Sequence, residues 1–350
     1  MSRWLSPLMA FCLSFMLMIT FAPIAGVTEH QIDFWGLWLI TVLVLALPLA
    51  YLEFALVKRA KTTILNALMS LTREADASSR WRIAGWLSVI FIPFLAGAML
   101  ANAQINASHF LQLPFSQVIG VAGLGIVAFA LSFLPRPVLV LLSAVGTVAS
   151  IVLCHVFNVQ LDAWHVTPVT FKEWGSATVL ALVASGLGLG IYAQNSQPAE
   201  QATASVMPIW VAQILAVIVF GFFAVQAQVP ALTVVLTVVF GAGLLLQLAK
   251  QQLQERRIHP IVQFVFLLVP LFVWAVPMIM PVLNVVTMLW GLVICLIYAV
   301  FAGWIMKISH LRKAMNFSNE VFYNIWRIAV RVVLPLSIIV AMVAVITGLF

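Results

Sequence analysis

Long apolar runs separated by short polar connections fill this chain from end to end. Eleven of them fall at roughly 5–27, 34–57, 83–106, 116–134, 136–158, 174–195, 205–228, 230–250, 260–280, 282–306 and 322–349. A helix needs about 20 apolar residues to cross the hydrocarbon of a bilayer, and each run is close to that length. A transmembrane barrel would show strands of about ten residues with alternating polarity instead. Backbone groups inside lipid must be satisfied within the protein, so these runs predict helices. The connection 58–82 is the longest polar stretch. It sets Ile64, Leu65, Leu68 and Leu71 at helical spacing beside Lys61 and Arg73, which predicts a short amphipathic helix on the cytoplasmic face. A loop at about 159–173, carrying Asp162, Trp164, His165, Lys172 and Glu173, is the one substantial connection on the other side.

Charge changes the picture by its placement. The 350 residues are 64% apolar and only 8% charged, against roughly 25% charged in soluble domains. The net charge of +7 could suggest nucleic acid. With a cytoplasmic N-terminus, however, the alternation of eleven spans puts 16 of the 17 basic residues on the inner side, from Arg3 through Arg59 and Arg257 to Arg331. Lys172 alone falls outside. This is the positive-inside bias, and it supports both the orientation and the count. It makes the chain a multi-pass membrane protein with its N-terminus cytoplasmic and its C-terminus extracytoplasmic; the resemblance described below implies the inner (cytoplasmic) membrane of a bacterium. The first run is long for a signal peptide, and Ala-Pro-Ile-Ala-Gly after it is a poor cleavage site, so it reads as the first span.

Candidate chemistry is sparse. There is no phosphate-binding glycine loop, no HExxH and no CxxC pair. Cys12, Cys154 and Cys295 sit in separate apolar runs and read as small buried hydrophobes. The six histidines are scattered, with His30, His109, His259 and His310 at helix ends, and none has a partner at ligand spacing. No metal, cofactor or catalytic constellation is expected, and the chain does not read as an enzyme. Glu53 is the one acidic residue deep in an apolar run. A carboxylate there costs a few kcal/mol or more unless paired or protonated. It is therefore either a structural acid held by backbone donors or a protonation site for coupling. Gly186, Gly188 and Gly190 give one helix three weak positions in five residues, followed by Gln194, Asn195 and Ser196. Glycine costs a helix about 1 kcal/mol against alanine, so the cluster marks a break or, alternatively, close packing on small residues.

Several segments resemble the neurotransmitter:sodium symporters in their bacterial form. LALPLAYLEFALVKR resembles the family's Gly-Leu-Pro turn and the Glu-Phe-Ala-Leu-Gly-Arg that follows, which puts Pro48 and Glu53 on the family's proline and buried glutamate. WRIAGWLSVIFIPFLAGAMLAN is similar to the third helix, VASGLGLGIYAQNS to the unwound sixth, and FAGWIMKISHLRKA with IWRIAVRVVLPLSIIV to the tenth helix, its exit and the eleventh. Order and spacing agree along almost the whole chain. The resemblance implies a LeuT-like, all-α integral membrane fold: a five-plus-five inverted repeat, first repeat about 5–158 and second about 174–306, with one extra C-terminal helix at about 322–349. Such folds break two helices at the bilayer midplane and turn the freed backbone groups toward solute and ion. The breaks are expected near Pro23 and near Gly186–Gly190. Pro23, Ser185, Gly186, Gly188, Gly190, Asn195 and Gln213 are then the candidate substrate-site residues, and Glu53 fixes the broken sixth helix.

The departures from that family bear on mechanism. Its first helix carries Gly-Leu-Gly-Asn-x-Trp-Arg-Phe-Pro; here the aligned stretch is LMITFAP. The sodium-ligating asparagine falls on Met18 and the gating arginine on Phe21. The gate's acid falls near Thr287, the third helix's substrate tyrosine on Ile92, and the eighth helix's sodium-binding Thr-Ser on about Leu244 and Leu245. The seventh helix keeps an amide, Gln213, and Val217 stands at the chloride or glutamate position. The long outer loop between helices seven and eight is missing. Hard cations need a shell of oxygens, which these side chains do not supply. Two readings follow. One is a secondary carrier for a small amino-acid-like or apolar solute with degenerate sodium sites. The other is a non-transporting membrane subunit whose extracytoplasmic face is covered by a partner. A lipid-modifying enzyme has only Glu53 and scattered histidines behind it.

Overall fold

The computed structural model describes residues 4–21, 31–110, 116–156, 164–186, 191–193, 202–224, 231–317 and 319–348. Its regular structure among these residues is helical, apart from an isolated bridge between Gln31 and His165. The helices are α1 (Leu5–Phe21), α2 (Ile32–Thr41), α3 (Leu47–Ala60), α4 (Ile64–Glu74), α5 (Ile83–Phe110), α6 (Gln117–Leu131), α7 (Arg136–Val156) and α8 (Phe171–Ala184). They continue as α9 (Ala202–Ile218), α10 (Ala231–Glu255), α11 (Pro260–Phe272), α12 (Met280–Val300), α13 (Ile308–Met315), α14 (Glu320–Ile328) and α15 (Leu334–Thr347).

Four of the expected spans carry a π turn among the described residues, at Val42–Ala46, Val219–Ala224, Phe301–Ile305 and Ala329–Val333, and two of these bear on a proline. The span Ile32–Ala60 joins α2 to α3 through a π turn, Val42–Ala46, and α14 joins α15 through another, Ala329–Val333. Both lie just ahead of a proline, Pro48 and Pro335. Proline has no N–H and its ring presses on the carbonyl four residues back, so the helix upstream must open. An indole occupies one freed acceptor: Trp304 Nε1 donates to Arg331 O at 3.1 Å, four residues before Pro335. Trp210 Nε1 donates to Val42 O at 3.0 Å, at the start of the other turn.

α1 lies at the centre, with Met9, Phe15, Met16, Met18 and Phe21 fully enclosed, and packs on α5, α7, α8, α9 and α10. Close approach to α10 depends on Gly241, where a Cβ would meet Met16 Sδ. The connection before α8 is pinned to the start of α2: Ile32 N donates to His165 O, and Gln31 Nε2 donates to Thr167 O at 2.9 Å. Thr170 and Glu173 then form a reciprocal cap that starts α8.

The expected amphipathic helix forms as α4. Ile64, Leu65, Leu68 and Leu71 are buried as a set, against α3 and α5. Its C-terminal Glu74 accepts from Arg59 Nε at 3.0 Å and approaches His310 Nδ1 of α13 at 2.8 Å, tying α4 to α3 and α13. The Arg59 guanidinium, and then His310, hold the Glu74 carboxyl below its ordinary value of 4.5. A depressed carboxyl stabilises the fold fully above its ordinary value and loses that contribution as pH falls through the lower folded value. Glu74→Gln is therefore expected to melt slightly below the parent at pH 7, by well under about 1 kcal/mol for so exposed a pair. The gap should close in a melting series taken down to about pH 3. A gap that persists there would show that packing, not charge, is responsible.

Candidate functional site

α8 stops inside the bundle. Ala184 is its last helical residue and Ser185 its cap, with the Ser185 hydroxyl turned back to Leu182 O at 2.7 Å. Gly186 follows at φ +104°, where L side chains rarely go. The chain is described again at Ile191–Ala193. A helix ended in this way leaves carbonyls on one side and amides on the other without partners.

Side chains from other helices meet both ends. Glu53 of α3 is 1% exposed, and its Oε1 accepts from Tyr192 N at 3.3 Å. The amides of Ile191 and Ala193 also donate to its carboxylate. Its other oxygen lies against Gly186, where a Cβ would sit only 2.1 Å from Oε2. On the carbonyl side, Ala184 O accepts from the Tyr192 hydroxyl at 2.8 Å and from Gln213 Nε2 of α9 at 2.9 Å. Because a carbonyl can only accept, this contact fixes which way the Gln213 amide points. Its Oε1 is buried and has no hydrogen-bond partner among the described residues.

A cation holds the same segment from the opposite side. Arg136, at the first turn of α7 and 5% exposed, donates from Nη2 to Ile191 O at 2.9 Å. Ser6 of α1 donates to Tyr192 O at 3.3 Å. The short piece after the break is thus gripped by a carboxylate on its amides, a guanidinium on one carbonyl and a hydroxyl on the next. In the sequence Arg136 reads only as an interfacial charge between two spans, and no spacing connects it with Ile191 or Tyr192.

Of the sequence-derived candidates, the structure brings Glu53, Ser185, Gly186 and Gln213 together. Pro23, Gly188, Gly190 and Asn195 lie outside the described residues. α1 is continuous from Leu5 to Phe21, so Met18 stands within an intact helix. Met18 is in its last turn, where helix carbonyls have no amide of the same helix to accept from. Met18, Ile92, Val217, Leu244 and Leu245 are all buried, and the Thr287 hydroxyl returns to Leu283 O at 2.8 Å. Two amide links went unnoticed in the sequence. Asn102 Nδ2 donates to Asn284 Oδ1 at 3.1 Å, joining α5 to α12, and Asn106 Nδ2 reaches Ile19 O of α1 at 3.5 Å.

No protein-family model and no curated protein matches this sequence. Solved structures do match its fold. The crystal structure of MhsT in complex with L-phenylalanine superposes with a TM-score of 0.69 at 13% identity, over 98% of this chain and 98% of that one. At that identity the likeness establishes architecture alone. The chain is a multi-pass, all-α membrane protein with a LeuT-like fold, and seven of its described helices are long and apolar enough to cross a bilayer.

Proposed function

We propose that this protein is a secondary carrier for a small apolar or amino-acid-like solute, a divergent relative of the bacterial neurotransmitter:sodium symporters that works without their two sodium sites. The observation that carries the reading is the Gln213 carbonyl oxygen. It is a buried acceptor without a partner among the described residues, held beside a helix break by a bond that fixes its orientation. An orphaned acceptor in a low-dielectric site costs free energy, which a donor such as a solute ammonium or amide would recover. Ile92, Ala184, Leu244 and Leu245, the positions given by the resemblance, would offer the rest of the solute an apolar surface. The fold shared with a protein crystallised with L-phenylalanine supports this solute class by analogy.

In this reading Ser185, Gly186, Gly188, Gly190, Asn195 and Pro23 border the solute path, between repeats at about 5–158 and 174–306. The N-terminus is cytoplasmic. Glu53 anchors the break and is the candidate for any proton coupling. The test is uptake of labelled apolar amino acids by proteoliposomes holding the purified protein, in potassium medium. Saturable uptake is expected, with a large loss in Gln213→Leu. A protein that neither transports nor is stabilised by these solutes, and that co-purifies with a stoichiometric protein partner, would be a membrane subunit instead.

Sodium is expected to leave the protein's stability unchanged. Met18, Leu244 and Leu245 provide no oxygen from their side chains, so most of the side-chain members of the first shell are gone. A partly filled shell does not repay dehydration of the ion. A bound ligand at about 100 times its Kd would add roughly 2.7 kcal/mol. Melting temperatures across a sodium series balanced with potassium should therefore be flat. A saturable, sodium-specific rise would restore a sodium-coupled symporter.

A further inference from the structure

The helices around the start of α8 carry a second feature, independent of the transport reading. A groove of about 550 Å³ opens between α8, α12 and α15, lined by Lys172, Ser176, Asn284, Val285, Met288 and Val345. Its walls are almost wholly apolar, and its lateral edge is a lipid-facing one: Val282, on the same turn of α12, is 63% exposed. Depth can be read from the elements. Phe171 and Trp174 stack at the first turn of α8, ring centroids 5.8 Å apart and planes 4° apart. Aromatic residues at a span's end mark the headgroup level of a bilayer. Lys172 lies between them in sequence. From Pro281 to Met288 the groove follows α12 for about 10 Å, at 1.5 Å per residue, from that level into hydrocarbon.

Lys172 is built into the rim. Its stem lies across the end of α15 at Gly348, where a Cβ would sit 2.5 Å from Lys172 Cγ. Among the described residues no carboxylate pairs with it. Its neighbour Glu173 is engaged in the α8 cap, accepting from Thr170 N at 2.8 Å and from the Thr170 hydroxyl at 2.9 Å. By the alternation of spans, Lys172 is also the only basic residue on its side of the membrane. An apolar trough open to lipid, with one cation at headgroup depth, is complementary to an acyl chain beneath a phosphate. We infer that this groove holds one anionic phospholipid, its acyl chain between α12 and α15 and its phosphate on Lys172. A small polar solute would leave the apolar trough unfilled and its own polar groups facing hydrocarbon.

The experiment uses the full chain in nanodiscs of equal phosphatidylglycerol and phosphatidylethanolamine, extracted gently and weighed intact by native mass spectrometry. One retained phosphatidylglycerol per protein is expected. Lys172→Gln should weaken its retention about five-fold, the worth of one interfacial basic residue, while Lys172→Arg keeps it. Val285→Trp should displace the lipid by filling the trough. Circular dichroism and melting temperature report whether that variant folds; the Lys172 pair changes no buried packing and decides the matter alone where it does not. Retention in Lys172→Gln equal to the parent, or equal retention of both lipids by the parent, would overturn the inference.

Discussion

Alanine at Gly186 is expected to destabilise the protein by roughly 2–6 kcal/mol, the sum of a strained backbone and an overfilled core. Two independent causes meet at this residue. Its φ of +104° is one that alanine adopts only under strain. Its missing Cβ would also sit 2.1 Å from Glu53 Oε2 and 3.1 Å from Tyr192 Cδ2. The carboxylate cannot simply rotate away, because Tyr192 N and its neighbouring amides hold it. With folded proteins stable by about 5–15 kcal/mol, such a loss should appear as poor yield and a much lower melting temperature. Gly123 supplies the control. It lies inside α6 with nothing within 4 Å of a built Cβ, so Gly123→Ala should be neutral or raise stability by up to about 1 kcal/mol. Equal melting temperatures for Gly186→Ala and the parent would mean that the break is not rigid at this point.

The hydropathy pattern was enough to place the spans because lipid leaves the backbone no alternative partner. The run at 136–158 became α7, and the amphipathic pattern of Ile64, Leu65, Leu68 and Leu71 became α4. The same pattern could not rank the spans by depth. The windows in Ile32–Ala60 and Ser79–Ser108 are 78% buried, whereas those in Arg136–Leu153 and Glu320–Thr347 are only 33% buried, yet all are strongly apolar. Lipid tails and protein interior are equally apolar, so burial leaves little mark on composition. In α4 the apolar stripe was legible, but its partners, α3 and α5, were not. Gly85 was the clue, since Leu65 backbone atoms approach its Cβ position to 3.3 Å.

Within the site, Glu53 and Gly186 stood out because each breaks a local rule, a carboxylate in an apolar run and a glycine in a helix. Arg136, Tyr192 and Ser6 break none. The Arg136 contact joins residues 55 apart in sequence and the Glu53 contact residues 139 apart. Neither distance carries a periodicity. The π turns are intermediate. Pro48 and Pro335 announce a disturbed helix, but not whether it kinks, ends or widens.

Glu53→Ala should be at least as damaging as Gly186→Ala. The carboxylate receives the amides of Tyr192, Ala193 and Ile191 in a site that is 1% exposed. Removing it leaves three buried donors without an acceptor, and each costs about 1–3 kcal/mol. The Arg136 guanidinium would then lie near an uncompensated segment, still bonded to Ile191 O. The expected result is loss of folded protein, or a melting temperature too low for purification. Glu53→Gln separates the two roles open to this residue. Its carbonyl oxygen keeps one acceptor at about the same place, so the variant should fold with a loss of about 1–2 kcal/mol, close to one charge-assisted bond exchanged for a neutral one. If Glu53 only anchors the break, Glu53→Gln retains uptake with the parent's pH profile. If it carries the coupling proton, the variant folds but its uptake no longer responds to a pH gradient. Parent-like stability in Glu53→Ala would refute both roles at once, because an acid that can be deleted without leaving the amides unsatisfied neither holds the break nor sits within it.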